Sequence, residues 1–214
     1  MQIEAEKKID QPSGSYSDSP IIDRYIIRKI SGFISGFLSR TPVTPNQVTI
    51  ISLIFGIASA AFFSHGKHTY TIIAGVLYFV STVFDQCDGE VARLKQMETE
   101  FGRKLDIIVD AIVNAVIVIG ITIAVYTKIG SVLVIIAGFF AMTGITISLL
   151  LATYFSHDSK KNTGIKKMLD KLNNKDFFYI IMILSVIFNQ MIWFLLIMAA
   201  GTNIYWIVRK IAYR

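Results

Sequence analysis

The sequence predicts an all-α polytopic membrane protein with six transmembrane helices, preceded by an N-terminal interfacial amphipathic helix. Three observations carry this expectation. Of 214 residues, 53% are hydrophobic and 17% charged, whereas a soluble domain carries roughly a quarter charged residues. The charges cluster between long apolar runs, each near the ~20 residues that cross a bilayer as a helix. The basic residues are also partitioned between alternate connections, as membrane topology requires. This composition excludes disorder and coiled coil, and the single cysteine, Cys87, excludes an intramolecular disulfide framework. The net charge of +6 is assigned to a cytoplasmic membrane surface and not to nucleic acid.

Residues 1–20 are polar, with Pro, Ser and Gly breakers, and read as a flexible tail without the apolar middle of a signal peptide. Over 21–40, Ile22, Ile26, Ile30, Phe33, Ile34 and Phe37 recur at helical spacing, with Arg24, Arg28 and Lys29 on other faces. That pattern suits a helix lying along the membrane interface. The third segment, 41–214, holds the six-helix transmembrane domain. Its first helix opens at Thr44-Pro45-Asn46-Gln47, where Thr44 is an N-cap, Pro45 fits the first helical position and Gln47 completes a capping box. The expected spans are 48–64, 70–92, 104–126, 131–155, 177–189 and 190–208. The last two are divided at Asn189-Gln190 because 177–208 is too long for one crossing.

With a cytoplasmic N-terminus, 19 of the 21 Lys and Arg residues fall on the inner side, and only Lys67 and Lys128 fall outside. All 15 acidic residues lie on the inner side too. The bias predicts both termini, and any chemistry, on the cytoplasmic face.

Seven of the 15 acids lie between positions 85 and 110, where the second span ends and the third begins. Asp85 and Asp88 are three apart and share a helix face with Ala92; Asp106 and Asp110 are four apart, with Gly102 one turn before. A short link is expected to make the two helices antiparallel neighbours, so that four carboxylates converge. Such anions repel one another and need compensation. Oxygen-only ligands suit hard cations such as Mg²⁺ or Mn²⁺, and two ions can gather a diphosphate and an attacking oxygen. Gly89, Ala92 and Gly102 leave space for a ligand, and Arg93 is spaced to meet phosphate oxygens.

The spacing Asp85-x2-Asp88-Gly89-x2-Ala92-Arg93-x8-Gly102-x3-Asp106-x3-Asp110 resembles, at every fixed position, the signature of the CDP-alcohol phosphotransferases, integral membrane enzymes of phospholipid synthesis. The resemblance extends to 44–49 and to the six-span plan. It implies that Asp85, Asp88, Asp106 and Asp110 bind two divalent ions, Mg²⁺ or Mn²⁺. It also implies that Asp110 is the general base for the acceptor hydroxyl. Gly89, Arg93 and Thr99 would contact the donor, with Ala92 and Gly102 keeping room for it. Thr44, Pro45, Asn46 and Gln47 would line the nucleotide side, or serve only as a helix cap. The implied reaction attacks the phosphorus bearing the alcohol group of a CDP-alcohol, with CDP-diacylglycerol the expected donor and a polyol phosphate a suitable hydroxyl acceptor, and CMP leaves. A homodimer embedded in membrane lipid is implied as well. Three features depart from the commonest pattern and bear on acceptor choice: Ala111 after Asp110, the basic pair Arg103-Lys104, and polar Gln86-Cys87.

Other signals have plainer readings. Cys87 reads as packing, and His65, His68 and His157 as solvated connection residues. The lysine run over 160–175 reads as an inner loop obeying topology, although it also suits anionic headgroups. Trp193, Tyr205, Trp206 and Tyr213 read as an interfacial belt. The rival function is a cation- or proton-coupled transporter using the same carboxylates, which would place them near the bilayer centre.

Overall fold

The computed structural model describes residues 27–155 and 175–212, which among them form seven helices and no strand. The helices are α1 (Arg28–Leu38), α2 (Pro45–Ser64), α3 (His68–Lys95), α4 (Glu100–Ile129), α5 (Val132–Phe155), α6 (Lys175–Ile187) and α7 (Met191–Ala212). The tail over 1–20 and the lysine run up to residue 174 lie outside the described residues, as do His157 and Tyr213. Four helical stretches are long and apolar enough to cross a membrane: α2, α3, α4 and Met191–Val208 of α7. The apolar stretches Val132–Ser148 and Phe178–Ile187 are shorter. Ile54, Ile108, Leu133 and Phe139 are exposed, a surface that suits lipid contact.

Local chemistry fixes the helix ends. At α2, the Gln47 N–H donates to Thr44 Oγ1 (3.4 Å) and the Thr44 N–H donates to Gln47 Oε1 (2.9 Å), a complete capping box with Pro45 at the first helical position. The α3 helix stops where Gln96 turns left-handed (φ 56°), and Met97 N–H donates to Ala92 O. Three residues later Thr99 caps α4 by accepting the Gly102 N–H at 2.9 Å. The α6–α7 turn falls at Asn189 (φ 53°), next to the break expected at Asn189-Gln190.

Packing corrects one expectation. The acidic helices α3 and α4 are not close-packed neighbours: each packs instead on α2, and little backbone contact joins the two directly. The reason lies in the small-residue stripe of α2, where Thr49, Ser52, Gly56, Ser59 and Ala60 are all buried. At Gly56 a β-carbon would lie 2.6 Å from Val113 Cγ2 on α4 and 3.2 Å from Ser81 Oγ on α3. A β-carbon at Gly120 would strike the Ala60 carbonyl oxygen. In an apolar surround, small residues permit such close helix approach. With α2 seated against both, a cleft is left between the ends of α3 and α4. The α5 helix packs on α4 and α7, and α6 on α3 and α7. Phe63, Ile117, Ile121, Phe194 and Leu195 fill the core.

The α1 helix lies on α3 through a mixed face that includes only part of its apolar stripe, Ile34 together with Leu38. Its buried positions are Ser31 and Ser35, with Ile27 just before the helix, while Phe33 (82%) and Phe37 (69%) face outward. Ser31 Oγ donates to Glu90 Oε1 at 2.9 Å, and the Cys87 thiol lies 3.6 Å from the Ser31 carbonyl. Cys87 is fully buried in this contact, as a packing residue would be.

Candidate active site

The first turns of α2 and α4, the last turns of α3, and the turn joining α3 to α4 enclose a cavity of about 550 Å³. From α3 come Asp88, Gly89, Ala92 and Arg93; from α4, Glu100, Gly102, Arg103 and Asp106; from α2, Pro45, Asn46 and Thr49. Met97, Glu98 and Thr99 close the end.

Asp88 is the deepest charge, only 6% exposed. Thr49 Oγ1 donates to its Oδ2 at 2.6 Å. The charges of Asp106 and Asp110 both act on Asp88, and those of Asp85 and Asp110 act on Tyr78, so the four carboxylates form one electrostatic neighbourhood spanning two helices. The glycines mark close approaches. A β-carbon at Gly102 would lie 3.1 Å from Thr99 Oγ1 and 3.2 Å from Asn46 Oδ1, so any side chain there would fill the cleft. At Gly89 the nearest atom would be an Arg93 guanidinium nitrogen at 3.5 Å, which shows the arginine folded back over the glycine.

Nine of the expected site residues line this cavity, namely Pro45, Asn46, Asp88, Gly89, Ala92, Arg93, Thr99, Gly102 and Asp106, and so does Arg103 of the basic pair. Asp85 and Asp110 lie outside the lining, and so do Thr44 and Gln47, whose side chains form the α2 cap. Thr99 both caps α4 and lines the cavity.

Sequence reasoning did not single out Thr49, although its place one turn after Pro45 on the buried small-residue stripe was a usable signal. It also passed over Lys95, whose ammonium donates to Thr41 O and Val43 O, both at 2.6 Å. Those bonds tie the α1–α2 connection to the end of α3. Periodicity cannot show such a bond, because its acceptors are backbone carbonyls.

As the side chains stand, no group of three or more His, Cys, Asp or Glu among the described residues encloses a metal position. The donor chemistry nevertheless fits a hard cation. Asp88 is buried, accepts a hydrogen bond from a neutral hydroxyl and faces two like charges, and the carboxylates around it offer oxygen. Such an arrangement is relieved by a divalent ion with oxygen preference.

Helices long and apolar enough to cross a membrane, with acidic and arginine groups around a cavity at one set of helix ends, define a helical integral membrane protein. Residues 42–208 match the family model of the CDP-alcohol phosphatidyltransferases, and the chain belongs to that family. It is 40% identical over 100 residues to the bifunctional IPC transferase and DIPP synthase of Archaeoglobus fulgidus, a match covering 46% of this chain and 19% of that protein. It is 36% identical over 85 residues to the archaetidylinositol phosphate synthase of Pyrococcus horikoshii, covering 39% and 43%. The chain thus spans about a fifth of the first relative's length and less than half of the second's. In fold it resembles the Mycobacterium tuberculosis phosphatidylinositol phosphate synthase crystallised with CDP-DAG bound. There the TM-score is 0.63 at 18% identity, over 85% of this chain and 92% of the other.

Proposed function

We propose that this protein transfers a phosphatidyl group from CDP-diacylglycerol to the hydroxyl of a polyol phosphate, releasing CMP, in phospholipid synthesis. The observation that carries the reading is the single cavity that gathers both halves of the acidic signature, Asp88 and Asp106, with Arg93, Asn46 and two space-leaving glycines. The names of two matched proteins give a lipid bearing inositol phosphate as the product, which supports an inositol phosphate as the acceptor.

Within this reading Arg93 pairs with the donor's phosphate oxygens, in the fork geometry that suits guanidinium. Asn46 and Thr99 bound the nucleotide side, and Gly89, Ala92 and Gly102 admit it close to the backbone. Asp85, Asp88, Asp106 and Asp110 would hold two Mg²⁺ or Mn²⁺ ions, which supply neutralising charge for the diphosphate and the departing CMP. Thr49 holds the Asp88 carboxylate in place. Asp110, one turn beyond Asp106, takes the proton of the acceptor hydroxyl as its oxygen bonds to the phosphorus carrying the diacylglycerol. The bond from that phosphorus to the CMP oxygen then breaks. Orientation of the two substrates in one cleft supplies much of the rate.

The reading includes six spans, with α5 and α6 crossing as well, a cytoplasmic face for the cavity, α1 lying at the interface, and a homodimer in the membrane. Asp88 lies seven residues from the end of α3, a position less suited to the midplane ion site that a transporter needs. The test is CMP release by purified protein in liposomes, screened across CDP-alcohol donors and hydroxyl acceptors. Release that requires CDP-diacylglycerol, a divalent ion and a polyol phosphate together supports the proposal. Release unaffected by Asp110→Asn contradicts the base, and substrate flux across sealed vesicles without CMP release favours the transporter.

A further inference from the structure

The cavity carries a second arginine that the family signature does not use. Arg103 lines it from the first turn of α4, and Arg93 lines it from the last turns of α3. These are its two basic lining residues, and they come from helices that are not packed on one another. The neighbouring lysine is paired and does not line the cavity: Lys104 Nζ bonds Glu100 Oε1 at 2.9 Å. Arg103, in contrast, has no carboxylate partner among the described residues. It sits three residues before Asp106, on the same side of α4, and is exposed at the end of the cavity.

We propose that Arg103 recognises the phosphate of the acceptor and makes the enzyme selective for phosphorylated alcohols. The inference rests on the transferase reading above. Two anionic substrates must share one cavity whose lining already holds Asp88, Glu98, Glu100 and Asp106. A phosphate approaching that mouth is repelled unless a cation meets it. Arg93, folded over Gly89, serves the donor diphosphate, which leaves Arg103 for the second anion. A guanidinium suits this task because it pairs bidentately with phosphate and keeps its charge at any working pH. The exposed position also fits a water-soluble acceptor, which must enter from the aqueous end while the donor's acyl chains stay in lipid.

The test uses the full chain in liposomes, comparing wild type, Arg103→Gln and Arg103→Lys. CMP release from CDP-diacylglycerol is measured with inositol 1-phosphate and with glycerol 3-phosphate as acceptors. Arg103→Gln is expected to raise the acceptor KM about tenfold or more while the donor KM moves by less than about twofold. Arg103→Lys recovers part of the loss, since it restores charge without the fork. In parallel, inorganic phosphate is titrated calorimetrically with CMP present to occupy the nucleotide side: wild type takes it up and Arg103→Gln does not. Equal phosphate uptake by both proteins, or a donor KM that rises as much as the acceptor KM, overturns the assignment. Absence of CMP release from wild type overturns the transferase reading itself, while the phosphate titration still decides the role of Arg103.

Discussion

Replacing Thr49 with valine removes one hydrogen bond and almost nothing else. The Thr49 hydroxyl has one proton and two acceptors in reach, Asp88 Oδ2 at 2.6 Å and the Pro45 carbonyl at 3.2 Å, and the shorter contact, to the charged partner, takes it. Both residues are buried, at 3% and 6% exposure, so the donor is held in one place beside the carboxylate. A hydrogen bond to a charged group contributes about 1.5–3 kcal/mol, and at 1.4 kcal/mol per decade that corresponds to roughly 10–100-fold. Thr49→Val is therefore expected to lower kcat/KM for CMP release by about tenfold or more, because Asp88 loses the contact that fixes its rotamer. Thr49→Ser keeps the hydroxyl and should stay within about threefold of wild type. Initial rates in liposomes at saturating acceptor are the assay. A valine variant as fast as wild type, or a serine variant as slow as the valine one, would refute the argument.

Other perturbations test the frame around the site. Lys95→Met removes both donations to the α1–α2 connection; backbone amide exchange over 41–47 should quicken by roughly tenfold or more, and unchanged exchange would show that the connection is held by other means. Gly120→Ala pushes a methyl into the Ala60 carbonyl and should destabilise the α2–α4 contact by about 1–3 kcal/mol in detergent unfolding. Gly201→Ala, which meets open space, should shift stability by no more than about 0.5 kcal/mol. Gly102→Val would fill the space beside Asn46 and Thr99, so nucleotide binding should be lost while the unfolding temperature holds; a variant that still binds CDP would place the nucleotide elsewhere.

How much of this was legible beforehand differs by kind of signal. Local backbone chemistry read well: the Thr44–Gln47 capping box and the break beside Asn189 depend only on neighbours in sequence. The acidic signature was legible in part: its spacing puts Asp88 and Asp106 into the cavity lining, whereas Asp85 and Asp110 lie outside it. What the sequence hid was which face of each apolar helix looks inward. In lipid the outside is as apolar as the core, so hydrophobic periodicity loses its meaning. The α2 helix turned inward through Thr49, Ser52 and Gly56, and α1 through Ser31 and Ser35 with Ile34 and Leu38 beside them, while Ile30, Phe33 and Phe37 face outward. For the same reason the short link from α3 to α4 suggested direct neighbours, whereas α2 bridges them. Arg103 and Lys104 looked alike in sequence, and only the Glu100 contact separates their fates.

We propose that the ends of α3 and α4, seated together on α2, form one metal-linked site for a nucleotide diphosphate. Calorimetric titration of a soluble CDP-alcohol into the purified protein, with and without Mg²⁺, tests it most directly. One site per chain is expected, with an affinity that falls by at least about tenfold when the ion is chelated, and a comparable loss in both Asp88→Asn and Asp106→Asn. Equal binding without divalent ions, or binding that survives both substitutions, would contradict it.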